Sequence, residues 1–106
     1  MTIKNSTDED FDKTIKESNL VLVDFWASWC APCKALTPIL EQIDAELKDK
    51  ILILKHNLDE QPNVPTANGV RGIPTLLLYK NSELVETQVG LSNKAKLLEL
   101  INKHLS

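Results

Sequence analysis

The sequence predicts an α/β fold: a central mixed sheet of about five strands with helices on both faces. Three observations predict it. Residues 20–26 read Leu-Val-Leu-Val-Asp-Phe-Trp, the nearly continuous apolar run of a strand covered on both sides. A helical stripe and a second such run, Ile-Leu-Ile-Leu at 51–54, follow it, and strand, crossover helix, strand implies parallel pairing. Finally, a tight turn at Asn81-Ser82 joins two further strand patterns and calls for an antiparallel hairpin at one edge.

In chain order, a short first strand is assigned to residues 2–5. Residues 8–17 place Phe11 and Ile15 on one face behind an acidic first turn, with Thr7 or Ser6 as cap, and predict an amphipathic helix. After the strand at 20–26, a second helix spans 31–47, its stripe formed by Leu36, Ile39, Leu40, Ile43 and Leu47. Pro32 suits its first turn, and Pro38 falls inside and should kink it. The strand at 51–54 precedes an irregular connection marked by Pro62, Pro65 and Gly69, with room for one helical turn. Strands at 75–79 and 84–89 flank the turn, and a last helix at 93–105 carries Leu97, Leu98, Ile101 and Leu105.

The 106 residues suit one domain, 1–106, with one core, and 42% apolar with 25% charged residues is an ordinary globular balance. A net charge of −3 with no basic cluster argues against nucleic acid or anionic membrane as the partner. The N-terminus shows no apolar segment of a secretion signal, and apolar runs of about four residues are far from a membrane span, so a cytoplasmic protein is expected.

The 2 cysteines, Cys30 and Cys33, are too few and too close for a disulfide scaffold, and so small a loop gains little stability from closure. They read as chemistry. Disulfide exchange needs an attacking thiolate and a nearby thiol to resolve the mixed disulfide. Cys30 lies where a strand hands over to a helix, whose N-terminal N–H groups and dipole favour a thiolate, and Cys33 lies one turn on along the same face. This assigns Cys30 as nucleophile and Cys33 as resolver. A zinc site would need four converging ligands, and the other candidates, His56 and His104, match no compact spacing; no metal or cofactor is expected.

Asp24 interrupts the strand at 20–26. A carboxyl there is buried and its pKa raised, which equips it to take the proton of Cys33; a hydrogen-bonded structural aspartate or a bulge would also explain it. Lys55 interrupts the next strand and either tunes Asp24 or snorkels from a strand end.

The stretch from Val23 to Lys34, Val-Asp-Phe-Trp-Ala-Ser-Trp-Cys-Ala-Pro-Cys-Lys, together with Val70-Arg71-Gly72-Ile73-Pro74-Thr75 some forty residues later, resembles the two signatures of the thioredoxin family. Asp24, Lys55, Pro38 and Gly90 stand in matching places, and the resemblance covers essentially the whole chain. It implies four helices around the sheet, an exposed Cys30, a shielded Cys33, a buried Asp24 near Lys55, and a cis Pro74 facing the cysteines. Trp29, Ile73 and Gly90 would form an apolar docking surface around Cys30, with Ala31, Pro32 and Pro74 completing the substrate side. From the residues alone, Pro74 also reads as a strand start, Gly90 as a strand-end turn and Trp26 as core filler. The implied activity is reduction of protein disulfides by a monomer, recharged by a thioredoxin reductase and acting on disulfide-containing substrate proteins. A pathway-specific or extracytoplasmic thiol oxidoreductase, or an interaction subunit with dispensable cysteines, are the competing readings.

The sequence departs from the family in three places. Ala31 replaces the usual glycine between the cysteines. Ser82 stands where glycine is common, which predicts a turn without positive φ. His56 beside Lys55 is unusual and reads as an exposed imidazole.

Overall fold

The computed structural model describes residues 3–105. The chain runs β1 (Ile3–Asn5), α1 (Phe11–Thr14), β2 (Leu20–Trp26), α2 (Ala31–Leu47), a 3₁₀ turn (Lys48–Lys50), β3 (Leu52–Asn57), α3 (Asn63–Ala67), β4 (Thr75–Lys80), β5 (Glu83–Val89) and α4 (Lys94–Asn102). One sheet holds all five strands in the order β1-β3-β2-β4-β5. The first three neighbours pair in parallel, and β4 and then β5 add on antiparallel, with β5 at the edge, so the sheet is mixed as expected. Thr2 of the expected first strand lies outside the described residues.

The alternation of β2 distributes the core. Leu20 and Leu22 pack with Ile51, Ile53, Leu76 and Leu78 under Leu36, Leu40 and Ile43 of α2 and Leu97 and Ile101 of α4. Val21, Val23 and Phe25 turn to the other face, where Leu52, Leu54, Leu77 and Tyr79 meet Phe11 and Ile15. Both faces are covered, which is why the strand reads as an unbroken apolar run. Among the described residues no helix is long and apolar enough to cross a membrane.

Several boundaries differ from expectation for local reasons. The helix expected over 8–17 contracts to Phe11–Thr14. Thr7 and Asp10 close a reciprocal cap first, Asp10 N–H donating to Thr7 Oγ1 at 3.1 Å and Thr7 N–H to Asp10 Oδ1 at 2.9 Å. After Thr14 the bonds tighten to 3₁₀ type, Lys16 N–H to Lys13 O and Glu17 N–H to Thr14 O. β3 runs on to Asn57 because Lys55, His56 and Asn57 continue its register with Asp24, Phe25 and Trp26. The last helix stops at Asn102, three residues short of the expected 105, and starts where Asn93 Oδ1 accepts the Lys96 N–H at 2.8 Å. α2 remains a single helix through Pro38.

Two further expectations are corrected. His56 is not exposed: it is fully buried, edge-on to Phe11 and Phe25 with ring centroids 5.7 and 5.2 Å away. The β4–β5 turn does use positive φ, +51° at Asn81 and +70° at Ser82, the pattern of a type I′ hairpin turn. The right-handed twist of the two strands selects this turn over the residue's preference. Serine therefore sits in a left-handed conformation that glycine adopts freely. We expect Ser82→Gly to stabilise the fold by about 0.5–1 kcal/mol, the relief of left-handed strain less the added chain entropy of glycine. Urea unfolding checks this: the midpoint should rise with an unchanged slope, and an equal or lower midpoint would contradict the strain.

Candidate active site

The two cysteines sit at the junction of β2 and α2. Cys30 is extended (φ −93°, ψ 105°) and forms the N-cap of α2; its Sγ accepts the Cys33 N–H at 3.2 Å. Ala31 and Pro32 occupy the first helical turn, where the proline has no N–H to lose. Ala31 is not among the residues with positive φ, so the alanine that replaces the usual glycine fits its backbone without strain. Cys30 and Cys33 are joined as a disulfide, Cα to Cα 5.2 Å. In this oxidised form Cys30 is 4% exposed and Cys33 1%, so the expected order of access holds while the expectation of an exposed Cys30 does not. Trp26, Ala27 and Ile73 pack around the bridge and cover it.

Asp24 follows Leu20 and Leu22 by the two-residue period of β2 and so faces the α2 side. It is fully buried, and neither carboxyl oxygen has a hydrogen-bond partner among the described residues. Asp24 does not sit at a bulge, since the only register irregularity in the described pairings lies at Leu78/Tyr79. Burial pushes its pKa from 3.8 up to about 7, with the charge of Lys55 holding it back. Lys55 lies directly opposite Asp24 in the β2–β3 register. Its ammonium donates to Thr37 Oγ1 at 3.1 Å and lies 4.5 Å from the Trp26 ring centroid, so it is held inside rather than extended to solvent.

Around the bridge, the peptide between Ile73 and Pro74 is cis, Pro74 is buried and Ile73 packs against the cysteine cluster. Gly90 donates its N–H to Pro74 O at 2.8 Å, which fixes the end of β5 beside this loop. At φ +88° Gly90 needs its missing side chain for the backbone angle, since a Cβ there would meet nothing within 4 Å. Trp29 is 68% exposed, and Val89 and Leu91 beside Gly90 are also exposed apolar residues.

The sequence reading missed the anchor of Trp29. Its indole Nε1–H donates to Asp59 Oδ2 at 2.7 Å, from the loop that follows β3. Only the presence of acids in that loop hinted at it, and the pair is 30 positions apart. Thr37 as the acceptor for Lys55 was missed as well. No three His, Cys, Asp or Glu side chains among the described residues group so that they could hold a metal ion.

Comparison with known proteins agrees with this geometry. The family model described as Thioredoxin matches residues 2–103. A thioredoxin of Rickettsia felis is 54% identical over 102 residues, covering 95% of this chain and 97% of that protein. A thioredoxin of Bacillus subtilis is 48% identical over 105 residues, covering 99% of this chain and all of its own length. Among solved structures, a mutant thioredoxin from Halobacterium salinarum superposes with a TM-score of 0.88 at 36% identity, covering 98% of this chain and 90% of that one. With the cysteine pair, its helix cap and the buried aspartate all in place, the chain belongs to the thioredoxin family.

Proposed function

We propose that this chain reduces protein disulfides with Cys30 as the attacking sulfur, Cys33 as the resolving sulfur and Asp24 as the acceptor of the Cys33 proton. The family and the intact Cys30–Cys33 pair make the chain a protein-disulfide oxidoreductase. What supports the finer assignment is the N-cap: Cys30 alone places its sulfur at the end of α2, where amide N–H groups and the helix dipole favour an anion.

In the dithiol state, the Cys30 thiolate attacks one sulfur of a substrate disulfide. The substrate S–S bond breaks, a Cys30–substrate disulfide forms and the first substrate sulfur leaves as a thiolate. Cys33 then gives its proton to Asp24 and attacks Cys30 Sγ. The intramolecular bridge forms, and the second substrate sulfur leaves. Two electrons have passed to the substrate, and a reductase must return them. We assign that role to a thioredoxin reductase. Trp29, Ala31, Pro32, Ile73, Pro74 and Gly90 form the face that receives an extended substrate segment, and Lys55 tunes Asp24. The protein acts as a monomeric single domain in the cytoplasm, with disulfide-containing proteins as substrates.

The reduction potential tests the direction of electron flow. Equilibrated against a dithiol/disulfide buffer, the Cys30–Cys33 couple should poise near the family's reference value of about −270 mV. A value near the roughly −120 mV of strong oxidants would show that the reduced form is the stabilised one and would overturn the reductant assignment.

A further inference from the structure

We propose that His56 is a positioning residue for disulfide reduction: its buried imidazole fixes the 57–62 loop so that Asp59 holds the Trp29 indole at the rim of the cysteine pair.

His56 belongs to β3, on the face opposite Asp24 and Lys55, packed among Phe11 and Phe25. Its Nε2 lies 3.1 Å from Asp8 Oδ1 and 3.1 Å from the Gln61 carbonyl oxygen. Neither a carboxylate nor a carbonyl brings a hydrogen, so Nε2 carries the proton and donates. Its Nδ1 lies within hydrogen-bond distance of Ser6 Oγ, 2.8 Å away. One buried ring thus ties together the end of β1, the turn before α1 and the far end of the 57–62 loop. Asp8 completes the clamp: its carboxylate accepts the Asn63 and Val64 N–H groups at 3.0 and 2.8 Å, and its own N–H donates to Gln61 Oε1 at 2.8 Å. Against the opposing pull of partial burial, the Val64 and Asn63 amides and His56 keep the Asp8 carboxyl below the ordinary aspartate value.

Asp59 lies between the two anchors of this loop. On one side Asn57 Oδ1 accepts the Asp59 N–H at 3.0 Å, and on the other the Gln61 carbonyl is held by His56. Asp59 itself is exposed, so the direction of its carboxylate depends on the loop backbone. That carboxylate is the acceptor for Trp29. Ser6, His56 and Asp8 are also the residue types of a hydrolytic triad. Ser6 is only 3% exposed, however, and the aspartate already caps α3, so the assembly orients rather than attacks.

The proposal rests on Trp29 forming part of the substrate face, and the experiment separates the two. On the oxidised protein, solvent exchange of the Trp29 indole N–H is followed by NMR, with the Trp26 N–H as internal reference. Reduction of insulin, recycled by dithiothreitol, gives KM and kcat. His56→Leu keeps the apolar packing and removes the donor. It should raise Trp29 N–H exchange about tenfold and KM about tenfold while kcat stays within about twofold, the loss expected of a hydrogen bond to a charged acceptor. Asp59→Ala should do the same, the double variant should add nothing further, and His56→Gln, which can still donate, should restore most of the protection. If His56→Leu does not fold, Ser6→Ala, which loosens the ring at Nδ1, should raise the exchange about threefold. Unchanged Trp29 exchange in the folded variants, or fully additive effects in the double variant, would overturn the role of His56. Exchange that responds as described while KM does not move would instead remove Trp29 from the substrate face and overturn the positioning role with it. A wild-type protein that fails to reduce insulin would refute the activity, leaving the exchange data to judge the clamp.

Discussion

Cys30→Ser should abolish disulfide reduction, whereas Cys33→Ser should accumulate a covalent complex with its substrate. The two outcomes differ because the sulfurs occupy different positions on one helix. Cys30 is the N-cap of α2 and the slightly more accessible of the pair, and its sulfur faces the Cys33 amide. A serine hydroxyl there stays protonated near neutral pH and does not attack a disulfide, so the rate falls to the uncatalysed background. Cys33 lies inside the first turn, is 1% exposed and is bonded to Cys30. Without it the first attack still proceeds, but the mixed disulfide has no internal thiol to break it. Incubating reduced Cys33→Ser with a disulfide-bonded protein and quenching with acid should give a stoichiometric adduct, seen by mass spectrometry and lost on adding dithiol. Full steady-state turnover by Cys33→Ser with a dithiol recycler would mean that a second sulfur is not needed, and the two-cysteine mechanism would fail.

The difference between what the sequence reveals and what it hides is one of range. The strand at 20–26, the helix at 31–47 and the cysteine pair between them are local patterns, and the fold confirms them within a residue. Asp24 was legible for the same reason: a carboxylate inside an apolar run is anomalous wherever the partners lie. His56 was misread because its partners are 50 and 48 positions away at Ser6 and Asp8, and no periodicity connects them. The anchor of Trp29 on Asp59 was missed on the same ground. The shortened α1 reflects competition that propensity ignores, since Thr14 Oγ1 bonds the Asp10 carbonyl at 2.9 Å while the Thr7–Asp10 cap takes the preceding turn. Ser82 shows tertiary geometry overriding residue preference, because the hairpin needed a type I′ turn and took it with serine. The cis peptide at Pro74 came only from family resemblance, X-Pro bonds in folded proteins being trans some nineteen times in twenty.

Asp24→Asn should stabilise the oxidised protein by about 4 kcal/mol at pH 8 and by less than about 1 kcal/mol near pH 4. In the unfolded chain the carboxyl titrates near its ordinary 3.8; in the fold, burial raises it to about 7, with Lys55 opposing. Between those values the folded state binds a proton that the unfolded state has released, so stability falls as pH rises. The contribution is therefore fully present below the unfolded pKa, is lost progressively up to the folded one, and is flat beyond it. At about 1.36 kcal/mol for each pKa unit, the loss totals about 4 kcal/mol. Asparagine has the shape of the protonated acid and no proton to lose, so the variant matches wild type in acid and surpasses it in base. Urea unfolding of both proteins from pH 4 to 9 measures the difference directly, since other titrating groups cancel. The same substitution removes the carboxyl that we propose accepts the Cys33 proton. Resolution of a preformed mixed disulfide should slow by about 100-fold at pH 7, the lower end of what a positioned base supplies, and should lose its inflection near pH 7. The first attack by Cys30 should be little changed. A stability difference that does not vary with pH would mean that Asp24 ionises in the fold as freely as in water. Unaltered resolution kinetics would place the proton acceptor elsewhere, with solvent reached through the cleft beside Lys55 as the next route to examine.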